Sequence, residues 1–393
     1  MFDKLLLLSQ GGTAYSGPVA EVQPYFDACG FPIPLYMNPA EFIIDFVNTD
    51  FARDKTEVDQ QLNMVQSSWH KSRLATATIT ELSDEVSRGS IDQDVSQYTA
   101  DSRAGPVAIV TALIHRSFIK SYRDIIAYGI RIAMYMALAI MMGTIWLRLS
   151  PTQGNIQAFI NAIFFGGAFM SFMAVAYIPA FLEDRAIFIK ERANGLYGPT
   201  SFIIANFITG LPYLFLISLL FSVVGYWLSN FRPTAGAFFS WVMWLFLDLL
   251  AAESLVVLVS SLVPIFVVAL AGTAFANGLW MCVGGFMVAP NNLNPFWRYV
   301  FHYIDYQSYV FQGMMVNEFG DRSYSCPPPV NGVCSQCMYQ ATKVGSECLI
   351  NGKEVLKGYG YNTGSTGKWV GILIGIIAVY RLFGWAVLYL RRS

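Results

Sequence analysis

Residues 235–262 read AGAFFSWVMWLFLDLLAAESLVVLVSSL, from Ala235 to Leu262, with Asp248 and Glu253 as the only charged side chains. A helix that crosses a bilayer needs about 20 mostly apolar residues. A stretch apolar on every side, with no polar stripe, has lipid or a protein interior around it. In lipid the backbone must satisfy its own hydrogen bonds, so the stretch is read as a helix. Working outward, five more segments meet the same test: Tyr128–Leu147, Ala158–Leu182, Ser201–Leu228, Ile265–Ala289 and Trp369–Leu390. The fold class expected is mainly α, a polytopic membrane protein with six transmembrane helices and a small α/β piece at the N-terminus. Pro179 and Pro212 are expected to kink or break their helices, and Pro264 to mark the turn between spans four and five.

Composition agrees. Of 393 residues 55% are hydrophobic and 13% charged, about half the charge of an ordinary soluble domain. This argues against a compact cytosolic enzyme, and a net charge of −1 gives no reason to expect nucleic acid as a partner. Most of the polar run falls in residues 48–105. The chain divides into a short N-terminal piece (1–50), a polar linker (51–105), an amphipathic helix (106–127) and a membrane domain (128–393). Leu5–Leu8 is too short for the apolar core of a signal peptide. In residues 106–124, Val107, Val110, Leu113, Ile114 and Phe118 recur at helical spacing opposite His115, Arg116, Lys120 and Arg123. Such a helix suits a membrane surface, with its basic side chains among the headgroups.

Basic residues orient the spans. Fifteen Lys and Arg fall on the side holding both termini and 8 on the other, most of the latter in one long loop. Both termini are expected to be cytoplasmic. Cys326, Cys334, Cys337 and Cys348 share the polar loop of about 313–368, which reads as a disulfide framework with three possible connectivities. The Cys334-Ser-Gln-Cys337 spacing would also suit zinc. With no histidine in the loop and an oxidising compartment, disulfides are preferred and no metal is expected.

Ordered motifs now carry a resemblance. Phe2-Asp-Lys-Leu-Leu-Leu-Leu-Ser9, Gly12-Thr-Ala-Tyr15 and Asn38-Pro-Ala-Glu-Phe42 come first. Arg116-Ser-Phe118, Tyr122-Arg-Asp124, Gly143-Thr-Ile-Trp146 and Lys190-Glu-Arg-Ala-Asn-Gly-Leu-Tyr197 follow. Phe231-Arg-Pro233, Gly285-Phe286, Phe296-Trp-Arg-Tyr299 and Asn317-Glu-Phe319 complete the series. Together they resemble the G-subfamily (white-type) ATP-binding-cassette half-transporters over nearly the whole chain. The resemblance implies that residues 1–50 are the C-terminal remnant of a nucleotide-binding domain. It implies a coupling helix at Lys190, Glu191, Arg192, Gly195 and Tyr197. It puts Phe172 on a substrate path with Phe165 and Phe169, and an apolar plug at Phe286 and Met287. Ile265 stands where the family often has asparagine.

The resemblance further implies a lipid, sterol or amphipathic small molecule as cargo, moved across the plasma membrane by a homo- or heterodimer of half-transporters embedded in the bilayer. ATP and Mg belong to a cassette whose phosphate loop, signature and switch histidine are absent from these 393 residues. Gly367-Lys368 lacks phosphate-loop spacing. No catalytic residue or cofactor is therefore assigned to this chain, which is expected to be a fragment or a truncated gene model. Two rivals follow from the same residues. One is a non-transporting half that dimerises with full-length partners and modulates them. The other is an intramembrane enzyme built on Asp248 and Glu253. Those two, with Arg131 and Arg381, are costly inside a bilayer. Asp248 and Glu253 are expected to pair between helices, while Arg131 and Arg381 could snorkel.

Overall fold

The computed structural model describes residues 3–48, 55–89, 104–329, 334–361 and 363–391. The chain forms two compact units, Met1–Arg103 and Ala104–Ser393.

In the first unit Lys4–Ser9 and Gly12–Pro18 pair as an antiparallel hairpin. Its two-residue loop, Gln10 and Gly11, has φ of 46° and 77°. Positive φ at both positions matches the twist of the flanking strands. Helices Val22–Ala28 and Pro39–Val47 follow, the second capped by the Asn38 side chain on the Ala40 N–H at 3.0 Å. The stretch read as a polar linker departs from expectation. Lys55–Lys71 and Arg73–Gly89 are helices, while 51–54 and 90–103 lie outside the described residues. Val65 and Trp69, four residues apart, put one narrow apolar face into the same core as Tyr15, Phe26 and Ile43. The Tyr25 hydroxyl ties that helix to the hairpin, lying 3.1 Å from the carbonyls of both Val65 and Ala14. A mostly polar composition concealed this stripe.

In the second unit a helix over Pro106–Arg123 precedes six that are long and apolar enough to cross a membrane. Span one is in the helix Ile125–Ile145. Span two runs Ile156–Met173, tightens to a 3₁₀ turn at Ala174–Tyr177, and continues as Ile178–Ala193. Pro179 lacks the N–H that would reach the Val175 carbonyl, which accounts for the tightened turn. The segment carrying Arg185, Lys190 and Arg192 is thus helix, continuous with the span. Span three, Pro199–Leu228, stays helical through Pro212, where a kink or local break was expected. Neighbouring helices make such prolines tolerable inside a bundle.

Span four is Ala235–Leu262, and Val263–Ile265 turns the chain into span five, Phe266–Val283. Span five ends six residues short of the expected Ala289, because Gly285 takes φ 98° and stops the helix. Span six is Thr366–Leu390.

Span four is the axis of this unit. Its apolar window is 78% buried, against 22% for span six. A further helix, Tyr306–Phe319, lies against it so closely that a Cβ on Gly313 would sit 2.3 Å from the Trp244 indole. Beyond that helix come a three-stranded antiparallel sheet, Ser323–Cys326, Glu347–Asn351 and Ala341–Val344 in spatial order, and the short helix Gly352–Tyr359. Bonds from Cys326 to Cys337 and from Cys334 to Cys348 close this subdomain, with Cα atoms 5.6 and 5.8 Å apart. One of the three open connectivities is thus selected.

Candidate functional site

On the helix Pro106–Arg123, Arg116 and Lys120 are four residues apart and share a face. On Ile178–Ala193, Asp184 and Glu191 are seven apart and share another. The two helices run antiparallel along these faces. Arg116 Nη1 reaches Glu191 Oε1 at 2.5 Å, and Lys120 Nζ reaches Asp184 Oδ1 at 2.7 Å and Glu183 Oε2 at 3.5 Å. Burial alone would lower the Lys120 ammonium; the hydrogen bond and charge of Asp184 outweigh it and leave the pKa raised.

The end of the second helix is shaped by Gly195, whose φ of 74° lets the chain reverse. The Gly195 N–H donates to the Arg192 carbonyl at 2.9 Å and the Leu196 N–H to the Glu191 carbonyl at 3.1 Å, a paired cap that satisfies the last helical carbonyls. The reversal brings Tyr197 back onto Glu191, to which its hydroxyl donates, with Arg116 Nη2 at 3.4 Å from the same hydroxyl. Burial, and after it the hydrogen bond to Glu191, push the Tyr197 phenol up to about 12. Glu191 therefore holds two donors from two segments. Arg192 turns elsewhere, donating to the carbonyls of Leu388 at 2.5 Å, Arg391 at 3.2 Å and Tyr389 at 3.3 Å at the end of span six. Lys190 is exposed and stands apart from these contacts.

The aromatic residues of span two separate into two groups. Phe165, Phe169 and Phe172 recur at one-turn and two-turn spacing and share a face; Phe165 and Phe169 stack at 4.2 Å, with Trp146 at 5.3 Å from Phe165. Phe172 is half-buried. Phe164 instead stacks on Phe286 at 4.0 Å and 10°, and Phe311 meets both rings edge-on. The expected plug pair thus divides. Phe286 joins an aromatic cluster, whereas Met287 is 58% exposed. Phe311 escaped sequence reading because nothing in Tyr306–Phe319 marks which of its aromatics faces inward.

The four intramembrane charges point inward and are bonded. Five residues along a helix turn the side chain by about 140°, so Asp248 and Glu253 look in different directions. Glu253 Oε2 takes Arg131 Nη2 at 2.9 Å, and the Arg131 guanidinium lies over the rings of Tyr177 and Tyr213 at 4.9 and 5.1 Å. Arg381 bonds Ser254 Oγ and Asn206 Oδ1, each at 2.9 Å. Neither arginine snorkels: both are under 9% exposed and held by hydrogen-bonding partners inside the bundle. Asp248 Oδ1 accepts from Ser171 at 2.7 Å. From Ser171 the polar chain continues to Asn277, whose Nδ2 lies 3.4 Å from the Ser171 carbonyl, and on to Tyr306, whose hydroxyl donates to Asn277 Oδ1 at 2.8 Å. Ser171, Asn206, Ser254, Asn277 and Tyr306 are missed by a reading that looks only for charge.

Residues 109–319 match a family model described as ABC-2 type transporter, and a second model of the same description matches residues 1–113. Over 392 residues the chain is 29% identical to ABC transporter G family member 1 of Petunia hybrida, a match covering 97% of this chain and 58% of that protein. It is 28% identical to ABC transporter G family member 11 of Arabidopsis thaliana, with 97% of this chain and 55% of the relative covered. Identity to member 13 of the same plant is also 28%, over 100% of this chain and 60% of the relative. The chain thus spans a little over half the length of these curated relatives.

Proposed function

The chain belongs to the ABC-2 type transporter family, as the membrane region of a G-subfamily half-transporter, and on that premise we propose that it is the transmembrane subunit of an ATP-driven exporter. Its cargo is a lipid, a sterol or an amphipathic small molecule, its membrane the plasma membrane, and its termini are cytoplasmic. A second half-transporter, identical or related, completes the pathway. None of this chain's motifs would hold ATP or Mg, so nucleotide hydrolysis belongs to a cassette outside these residues.

The observation that supports the reading best is the three-way contact of Arg116, Glu191 and Tyr197. It fastens the helix before span one to the end of the helix that continues span two. A push on that end is transmitted through the 3₁₀ turn to the first helical part of span two, which carries Phe164, Phe165, Phe169 and Phe172. Phe172, with the stacked Phe165 and Phe169, offers flat apolar faces that suit sterol-like cargo without specific hydrogen bonds. Phe286, stacked on Phe164, closes the path beyond it.

The test is to express the chain in frame behind a G-subfamily cassette and load inside-out vesicles with a fluorescent sterol analogue. ATP-dependent accumulation that disappears when Phe172 is replaced by alanine supports the reading. ATP hydrolysis at full rate with no accumulation of sterol, phospholipid or amphipathic dye overturns it.

A further inference from the structure

Asp248 is the one intramembrane carboxyl with no cation bonded to it among the described residues. Its Oδ1 has the Ser171 hydroxyl, while Oδ2 bonds to none of the described residues. Gln307, in the first turn of Tyr306–Phe319 and 6% exposed, leaves both Oε1 and Nε2 likewise unbonded. These two side chains share the wall of one cavity in which the centre of a water molecule has about 10 Å³ of freedom. That is about the room one water needs. Ile163, Phe164, Val310 and Phe311 supply carbon to the rest of the wall, and Gly284 closes it. Behind Gly284 lies Asp305 Oδ2, 3.4 Å from where a Cβ on that glycine would be and also without a hydrogen-bond partner.

A carboxylate ion held in a low-dielectric interior without a counter-charge is so unfavourable that the group is neutralised instead. The buried arginines cannot serve. Arg131 is engaged by Glu253, Arg381 by Ser254 and Asn206, and Arg185 lies near Arg391 at the far end of the second helix. A hard metal cation wants about six oxygen ligands, whereas the side chains of this wall offer Asp248 Oδ2 and Gln307 Oε1. We propose that the cavity is a proton-binding site, in which Asp248 Oδ2 takes a proton from hydronium, leaving water, and donates it through one water to Gln307 Oε1.

The elements packed around Asp248 carry other titratable and charged groups. The outer helix brings Asp305 and Tyr306, and the Tyr306 hydroxyl is engaged by Asn277. Span six brings Tyr380 and Arg381, and span one brings Arg131 and Tyr135, the latter bonded to the Met170 carbonyl. Tyr177, at the 3₁₀ turn, accepts from Asn206 at 2.7 Å, and Tyr213 of span three donates to the Tyr128 carbonyl at 2.6 Å. Cys282 of span five is exposed, and Asp184 and Arg185 lie further along the second helix. Of these groups, Asp305 alone is a carboxyl with an unbonded oxygen beside the cavity. Because Phe164 forms part of the wall and stacks on Phe286, the site adjoins the aromatic pair. Its occupancy is independent of the transport reading.

The test is infrared spectroscopy of the full chain in detergent micelles at neutral pH, read at the carbonyl stretch of protonated carboxyls. The wild type should carry a band there that is missing from D248N. Gel filtration establishes whether D248N is folded. S171A, which strips the donor from Oδ1, should shift the frequency of the same band and provides the reading if D248N does not fold. A spectrum unchanged in both variants overturns the site. So does a wild-type band that vanishes when choline is exchanged for Na⁺ at constant ionic strength, since the occupant would then be a metal cation.

Discussion

Arg131 and Glu253, 122 residues apart in sequence, meet at 2.9 Å with side chains only 4% and 3% exposed. The pair joins span one to span four, and span four is the helix around which the unit is packed. Removing a charge from water is costly, so a buried pair adds little net stability, but stripping away one member leaves the other uncompensated. E253A should therefore lower the unfolding free energy in micelles by about 3–5 kcal/mol. Replacing Arg131 with methionine and Glu253 with leucine together should recover most of that loss. Thermal unfolding of the wild type, the single variant and the double variant decides it. A double variant as unstable as E253A would mean that the pair is not the unit of stability.

Glu191 poses the opposite case. Its side chain is 22% exposed and that of Arg116 is 51% exposed, and pairs as accessible as this contribute less than about 1 kcal/mol. E191Q should leave folding and membrane insertion nearly unchanged. In the cassette-fused form it should remove most ATP-dependent transport while hydrolysis continues, because the link between the two helices is weakened. The swap of Arg116 to glutamate with Glu191 to arginine should restore part of it. Transport at wild-type rate in E191Q would separate this contact from coupling altogether.

The sequence made the spans legible because lipid imposes one rule on long apolar runs. Ala235–Leu262 is a helix over the residues that its composition marks out. Where the rule has no hold, reading was poorer. Lys55–Lys71 buries only a stripe, so its polar majority passed for a linker. Span two could not be ended correctly from hydropathy, since the helix continues through Asp184 and Glu191, which bond to another helix. At the candidate site the charges were visible and their partners were not. Ser171, Asn206 and Ser254 look like ordinary small polar residues until the folded bundle brings them to Asp248 and Arg381.

The outer subdomain offers a covalent test. Cys326–Cys337 and Cys334–Cys348 interlock, each bond closing a loop that contains one cysteine of the other. Peptide mapping without reductant should recover these two linkages. The double serine variant at 334 and 348 should become sensitive to protease within the segment 323–361. Losing one native bond from a small subdomain of this kind costs about 2–5 kcal/mol, enough to open it while the membrane helices stay folded. Recovery of a Cys334–Cys337 linkage would contradict the pairing.

His302 gives a dependence on pH whose sign can be worked out. Its Nδ1 lies 2.8 Å from the carbonyl of Val283, the last residue of span five. A carbonyl only accepts, so Nδ1 carries the hydrogen. Burial lowers the pKa of the imidazole, the bond to Val283 opposes that, and the charge of Arg298 lowers it further; the net direction is down. In the unfolded chain the ring takes up a proton near pH 6.5. Between that value and the lower folded one the unfolded state binds the proton and the folded state does not, so stability falls as pH falls. The contribution is complete above about pH 6.5 and is lost progressively below it. Unfolding temperature measured on either side of that value should therefore drop toward the acid side. H302N, whose amide nitrogen can make the same bond without titrating, should flatten this part of the curve relative to the wild type. A wild-type curve of the same slope in H302N would assign the dependence to another group.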